Sequence, residues 1–147
     1  MSITAAQALA RYGDPTREKA MVLYDVPTAL EIGAVPRRVY CNRDLVGPLS
    51  RALGLIVERD LTGLLRTWDG CFQVRRKRGR ATMSLHSWGL AVDINAAWNP
   101  LGAASKQDPR LTACFVEAGF AWGGAWRGRL DCMHYELAAL PRLPGVK

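Results

Sequence analysis

The sequence predicts an α+β protein, a small antiparallel sheet flanked by helices within one compact domain spanning residues 1–147. Three observations lead there. Short runs rich in β-branched and aromatic residues, such as "RRVYCN", "GLAVDIN" and "MHYEL", have the length of strands. Runs with helical spacing and clear stops, such as "DPRLTACFVEAG", lie between them. The two kinds of run do not alternate regularly, which argues against a parallel sheet built from βαβ units. A chain of 147 residues with 49% hydrophobic content is large enough for a core, and no repeat, low-complexity tract or linker divides it.

Taken in order, "TAAQALARYG" reads as a first helix that stops at Gly13, and "RRVYCN", following Pro36, as a strand. "RDLVGPLSRALGLIVERDLTGLLRTW" has apolar positions at helical spacing. Pro48 and the glycines at 47, 54 and 63 interrupt it, which predicts one or two short helices in place of one long rod. "GCFQVR" is expected to be a strand and "RRKRGR" a basic loop. "GLAVDIN" suits a buried strand, while the Asp-Pro start and Gly stop of "DPRLTACFVEAG" mark a helix. A Trp/Gly-rich loop then leads to a last strand around "MHYEL", and "LPGVK" is expected to be a frayed end.

The formal charge of +7 favours polyanionic surroundings, a class that includes nucleic acid, anionic lipid and acidic cell-wall polymers. "RRKRGR" has no interleaved aromatics on which bases would stack, so no specific nucleic-acid site is expected. The N-terminus lacks the basic, apolar and cleavage segments of a signal peptide, and no run approaches the roughly 18 apolar residues of a membrane span. Synthesis in the cytoplasm as a soluble monomer is the expectation. Cys41, Cys71, Cys114 and Cys132 are spread singly without a CxxC pair; they indicate buried thiols, neither a zinc knuckle nor a disulfide scaffold.

The chemistry rests on the chain's only two histidines. His86 lies in "SLHSWGLAVDIN" with Asp93 seven positions later, and His134 lies in "LDCMHYEL" with Asp131 three positions before it. An isolated histidine in an apolar strand is ordinarily a satisfied core residue, but two imidazoles and a carboxylate form a ligand set for catalytic zinc that leaves a fourth position for water. The candidate set is His86, Asp93 and His134. Positions 86 and 93 differ by an odd number and would face opposite sides of a regular strand, so a bend is required, and Gly89 offers it. The same parity separates Asp131 from His134 and sets Asp131 on the preceding loop, near the metal and not bound to it. A carboxylate there suits a general base, since zinc lowers the pKa of its water from 15.7 to about 7. Amide hydrolysis also develops an oxyanion that calls for a fixed positive group, and Arg75 and Arg78 in the basic loop are the nearest choices. Trp88, Trp122 and Trp126 read as core or wall residues.

These segments resemble a known family. "SLHSWGLAVD" fits the SxHxxGxAxD motif, and "DCMH" the [DE]xxH motif, of the D-alanyl-D-alanine carboxypeptidase and L-alanyl-D-glutamate endopeptidase family of zinc peptidases. The resemblance extends over about residues 69–136, because "GCFQVRRKRGR" is similar to the arginine-containing segment before the first ligand in phage-type members. It implies one zinc per chain on His86, Asp93 and His134, with Asp131 as general base and Arg75 polarising the scissile carbonyl. It also implies a substrate contact at Ser84, with Arg78 as the alternative arginine. Aspartate at position 131, where some members have glutamate, agrees with the endopeptidase-like phage branch.

The implied substrate is bacterial peptidoglycan, and a basic surface suits a wall rich in carboxylates and phosphates. The expected function is that of a phage endolysin-type L-alanyl-D-glutamate endopeptidase, made in the host cytoplasm and acting on the wall after release. The alternatives are a D-alanyl-D-alanine carboxypeptidase, an inactive zinc-bearing binding module and a basic nucleic-acid-binding domain. The base at Asp131 argues against the binding module, and the ligand set argues against the nucleic-acid domain.

Overall fold

The computed structural model describes residues 2–143, so all of the expected frayed end except Leu143 lies outside the described residues. Helix α1 (Ala5–Tyr12) begins where the sequence signals it. The Thr4 hydroxyl accepts a hydrogen bond from the Gln7 amide, the Gln7 side chain accepts one from the Thr4 amide, and Gly13 ends the helix at φ 79°. Strand β1 (Met21–Asp25) pairs antiparallel with β2 (Arg38–Asn42), from Met21 opposite Asn42 to Asp25 opposite Arg38. The second of these strands is the expected one. The first carries no comparable sequence signal, because "MVLYD" has no turn residues bounding it on its N-terminal side and no buried face of its own.

Helix α2 (Val46–Glu58) is one helix of 13 residues. Gly47 and Pro48 fall in its first turn, where an amide has no intrahelical acceptor to lose, so the proline starts the helix instead of breaking it. Leu49, Ala52, Leu53 and Ile56 form its buried stripe at i, i+3, i+4 and i+7. Strands β3 (Trp68–Gly70), β4 (Ala91–Ile94), β5 (Phe120–Trp122) and β6 (His134–Leu137) make the second sheet, antiparallel throughout, in the order β3-β4-β6-β5. Helix α3 (Pro109–Ala118) precedes β5, with the Asp108 side chain accepting from the Arg110 amide and Gly119 in the left-handed region at φ 112°. The α+β class and the site-bearing antiparallel sheet are as predicted.

Two expectations need correction. "GCFQVR" is not a strand beyond its first residue. It runs beside the 3-10 turn Leu85–Trp88, with the Gln73 amide donating to the His86 carbonyl at 3.0 Å and the Arg75 amide to the Ser87 hydroxyl at 3.1 Å. A turn with that repeat offers no continuous row of partners, so no ladder forms. The Trp/Gly-rich segment is also not all loop, since β5 sits at its start, against β6.

The sheet's two faces divide the labour, because side chains alternate along a strand. Val92 and Ile94 of β4, with Tyr135 and Leu137 of β6, are buried on the face toward the helices. Phe115 of α3 packs there on Tyr135, ring centroids 4.6 Å apart, and the Thr112 hydroxyl hydrogen-bonds the Tyr135 hydroxyl at 2.8 Å. Burial of each large apolar side chain contributes about 1.5–3 kcal/mol, so this face anchors the sheet. The other face carries Ala91, Asp93, His134 and Glu136 and floors a cleft.

Candidate metal centre and cleft

His86 reaches that face from the turn Leu85–Trp88. Ser84 caps the turn, its hydroxyl accepting from the His86 amide at 3.3 Å, and Gly89, at φ 66°, redirects the chain into β4. Position 89 tolerates only glycine for a second reason: a Cβ there would lie 2.7 Å from the backbone nitrogen of Asn42. The bend lets His86 and Asp93 face each other in spite of their odd spacing. Asp93 and His134 are direct cross-strand partners.

The polar atoms of these residues converge. His86 Nε2 lies 3.1 Å from Asp93 Oδ2, His134 Nδ1 lies 3.2 Å from Asp93 Oδ1, and the two ring nitrogens are 3.2 Å apart. On the far side of each ring a fixed acceptor takes the other nitrogen: the Cys71 carbonyl for His86 Nδ1 at 2.7 Å, and Glu136 Oε1 for His134 Nε2 at 2.6 Å. Burial works to raise the Asp93 pKa, but hydrogen bonds from both imidazoles outweigh it and hold the carboxylate well below its ordinary range. Burial works to lower that of His134, yet its bonds to Asp93 and Glu136 hold the imidazole up at about 9.

The donor set fits a small divalent ion. Zinc holds nitrogen and oxygen ligands at about 2.0–2.2 Å in a tetrahedron, which spaces them about 3.3–3.6 Å apart, only slightly wider than found here. His86, Asp93 and His134 are the group of metal-ligating type among the described residues, and Asp131 is not part of it.

Asp131 lies on the loop before β6. Its amide donates to the Gly123 carbonyl at 3.1 Å, and its own carbonyl accepts from the His134 amide at 3.1 Å, which ties the loop to the start of β6. Gly123 is crowded: a Cβ there would come within 2.3 Å of the Asp131 carbonyl oxygen. Asp131 Oδ1 is the one buried side-chain polar atom among the described residues with no hydrogen-bond partner, and such an atom calls for water or a ligand. Burial raises the Asp131 pKa, opposed in part by His134.

Arg75, Arg78 and Ser84 line the same cleft, of about 570 Å³, as Asp93, Asp131 and His134. Arg75 is the better placed arginine. Its carbonyl accepts from the Ser84 amide at 2.9 Å and the Ser87 hydroxyl at 3.0 Å, which clamps it to the His86 turn, and its charge reaches Asp131. The Arg78 carbonyl instead accepts from the Arg129 guanidinium across the cleft mouth. Trp88 is a core residue, its indole donating to the Gly13 carbonyl at 2.8 Å, whereas Trp126 is a cleft wall 5.2 Å from the His134 ring.

Several participants escaped the sequence reading. Glu136 was legible from strand parity, two residues after His134 and so on the same face. The Ser87 clamp and the Cys71 carbonyl were not, since both are contacts across turns. Arg127 and Arg129 join the basic loop around the cleft, and Ile3 and Thr4 close it from the start of α1.

No curated protein and no solved structure matches the chain. Residues 78–137 match the family described as D-alanyl-D-alanine carboxypeptidase. The matched stretch contains His86, Asp93, Asp131 and His134 with the two central strands that align them, so the site-bearing part of the chain is similar to that peptidase family.

Proposed function

We propose that the protein is a zinc peptidase that hydrolyses an amide bond in the stem peptide of bacterial peptidoglycan, as an endolysin-type L-alanyl-D-glutamate endopeptidase. One observation carries this reading: three atoms of metal-ligating type converge in the same cleft as the buried, unpartnered Oδ1 of Asp131, and arginines line that cleft. When bound, zinc supplies a Lewis acid that polarises the carbonyl and acidifies water. Asp131 takes a proton from the attacking water and delivers it to the leaving amine. Arg75 stabilises the negative charge that develops on the carbonyl oxygen. Arg78 and Ser84, which line the same cleft, contact the peptide. A binding module has no use for an unpartnered base, which favours the enzyme.

The description of the matched family favours a second specificity, removal of a terminal D-alanine. Digestion of purified peptidoglycan with zinc-loaded protein, followed by mass spectrometry of the fragments, decides between them. New D-glutamate amino ends are expected. Release of free D-alanine alone would replace the endopeptidase reading with the carboxypeptidase one, and intact wall with zinc in place would overturn both.

A further inference from the structure

We propose that Glu136 is a positioning residue for the metal centre: it fixes the tautomer and ring orientation of His134 and supplies the second negative charge that neutralises a divalent ion. This inference rests on the zinc reading above. Glu136 and His134 alternate with Tyr135 along β6, so both project onto the cleft face, and both are buried. Glu136 Oε1 lies 2.6 Å from His134 Nε2, while Nδ1 of the same ring faces Asp93 and His86. A neutral imidazole carries one proton. With that proton donated from Nε2 to Glu136, the Nδ1 lone pair is left for the metal.

The two histidines are held by unlike means. His86 donates from Nδ1 to a backbone carbonyl, which is neutral and inseparable from the fold. His134 relies on a side chain that carries charge. Two neutral imidazoles with Asp93 leave a divalent ion one positive charge in excess, and Glu136 offsets it in a buried setting where an unbalanced charge is costly. Asp131 does not serve this purpose, since its base role requires it to exchange a proton.

The test measures zinc affinity by chelator competition, and the visible spectrum of the cobalt-substituted protein, for wild type, Glu136→Gln, Glu136→Ala and Asp131→Asn. Gln keeps the acceptor and the size but loses the charge; Ala loses all three. Affinity is expected to fall about 10-fold for Gln and about 100-fold for Ala, within the range that outer-shell partners of metal ligands command. The cobalt spectrum should shift for Ala, while Asp131→Asn retains wild-type affinity. A space-filling role alone predicts wild-type affinity and spectrum for Glu136→Gln, and that result would overturn the proposal even if Glu136→Ala fails to fold. Wild-type protein that takes up neither zinc nor cobalt overturns the zinc reading itself.

Discussion

Two ring nitrogens that face each other at 3.2 Å beside one carboxylate need a proton or a metal between them. In the metal-free site the raised His134 pKa, about 9, supplies the proton. Metal binding at Nδ1 must displace it, so zinc titrated at pH 7.5 should release about one proton from His134, read by calorimetry in buffers of different ionisation enthalpy. Zinc uptake with no proton release would contradict this. The same shift acts on stability: a folded-state pKa above the unfolded value of about 6.5 stabilises the metal-free fold below that pH and is lost as pH rises through about 9. Asp131, the proposed base, sits in the opposite position, with an oxygen that has no partner. Asp131→Asn should keep zinc and fold while peptidoglycan cleavage falls about 10²–10⁴-fold. Because burial raises its pKa, the acid limb of the wild-type rate should lie above the ordinary carboxylate range near 4. Loss of zinc from Asp131→Asn would make Asp131 a ligand.

These residues are held in place by contacts between elements, and Gly123 tests how finely. With no room for a Cβ against the Asp131 carbonyl, Gly123→Ala must displace the loop that carries Asp131, while His86, Asp93 and His134 stay on the His86 turn, β4 and β6. Turnover should fall about 100-fold with zinc per chain unchanged, the scale expected when a reacting group is misplaced by about 1 Å. The Arg75 clamp supports a parallel expectation. Arg75→Ala should cost about 3–4 kcal/mol of transition-state stabilisation with zinc intact, and Arg78→Ala distinctly less. The reverse order in kcat/KM would move the role to Arg78. Sequence made some elements plain and hid others for identifiable reasons. The capping residues Thr4, Asp108 and Gly119 signal helices locally, and the converging site was legible because its residues sit in two short motifs. "GCFQVR" misled because its alternation suits a strand, while the partner beside it is a turn. Strand β5 is three residues long among glycines and tryptophans, too short for a period to register.

At the scale of the molecule, residues 1–65, which carry no motif, act as a buttress for the site. The fully buried Asn42 donates to the Trp88 carbonyl at 3.0 Å, its amide donates to the Gly89 carbonyl at 3.1 Å, and the Gly13 carbonyl receives the Trp88 indole. The C-terminal end of the His86 turn is thereby fixed by the N-terminal part of the chain, while the Arg75 carbonyl holds its start at Ser84. What that architecture presents to the outside is charge. Arg75, Lys77, Arg78, Arg80, Arg127 and Arg129 surround the cleft, and none of them forms a salt bridge among the described residues. Of the acidic residues of the cleft, Asp93 and Glu136 are engaged with histidines, and Asp131 is the proposed base. On a polyanionic wall, binding through this rim adds to contacts with the scissile peptide, whereas a small soluble muropeptide has few further charges to meet it. Salt should therefore separate the two substrates, since screening tightens from about 10 Å at 0.1 M to about 3 Å at 1 M. Cleavage of whole walls is expected to fall steeply over that range and cleavage of a soluble muropeptide only modestly, with zinc content constant throughout. Replacing Arg80 and Arg127 by Gln should flatten the salt dependence on walls and leave the muropeptide rate close to wild type. Equal salt dependence for both substrates would mean that the rim does not hold the wall, and that the peptide in the cleft is recognised by the floor and the Trp126 wall alone.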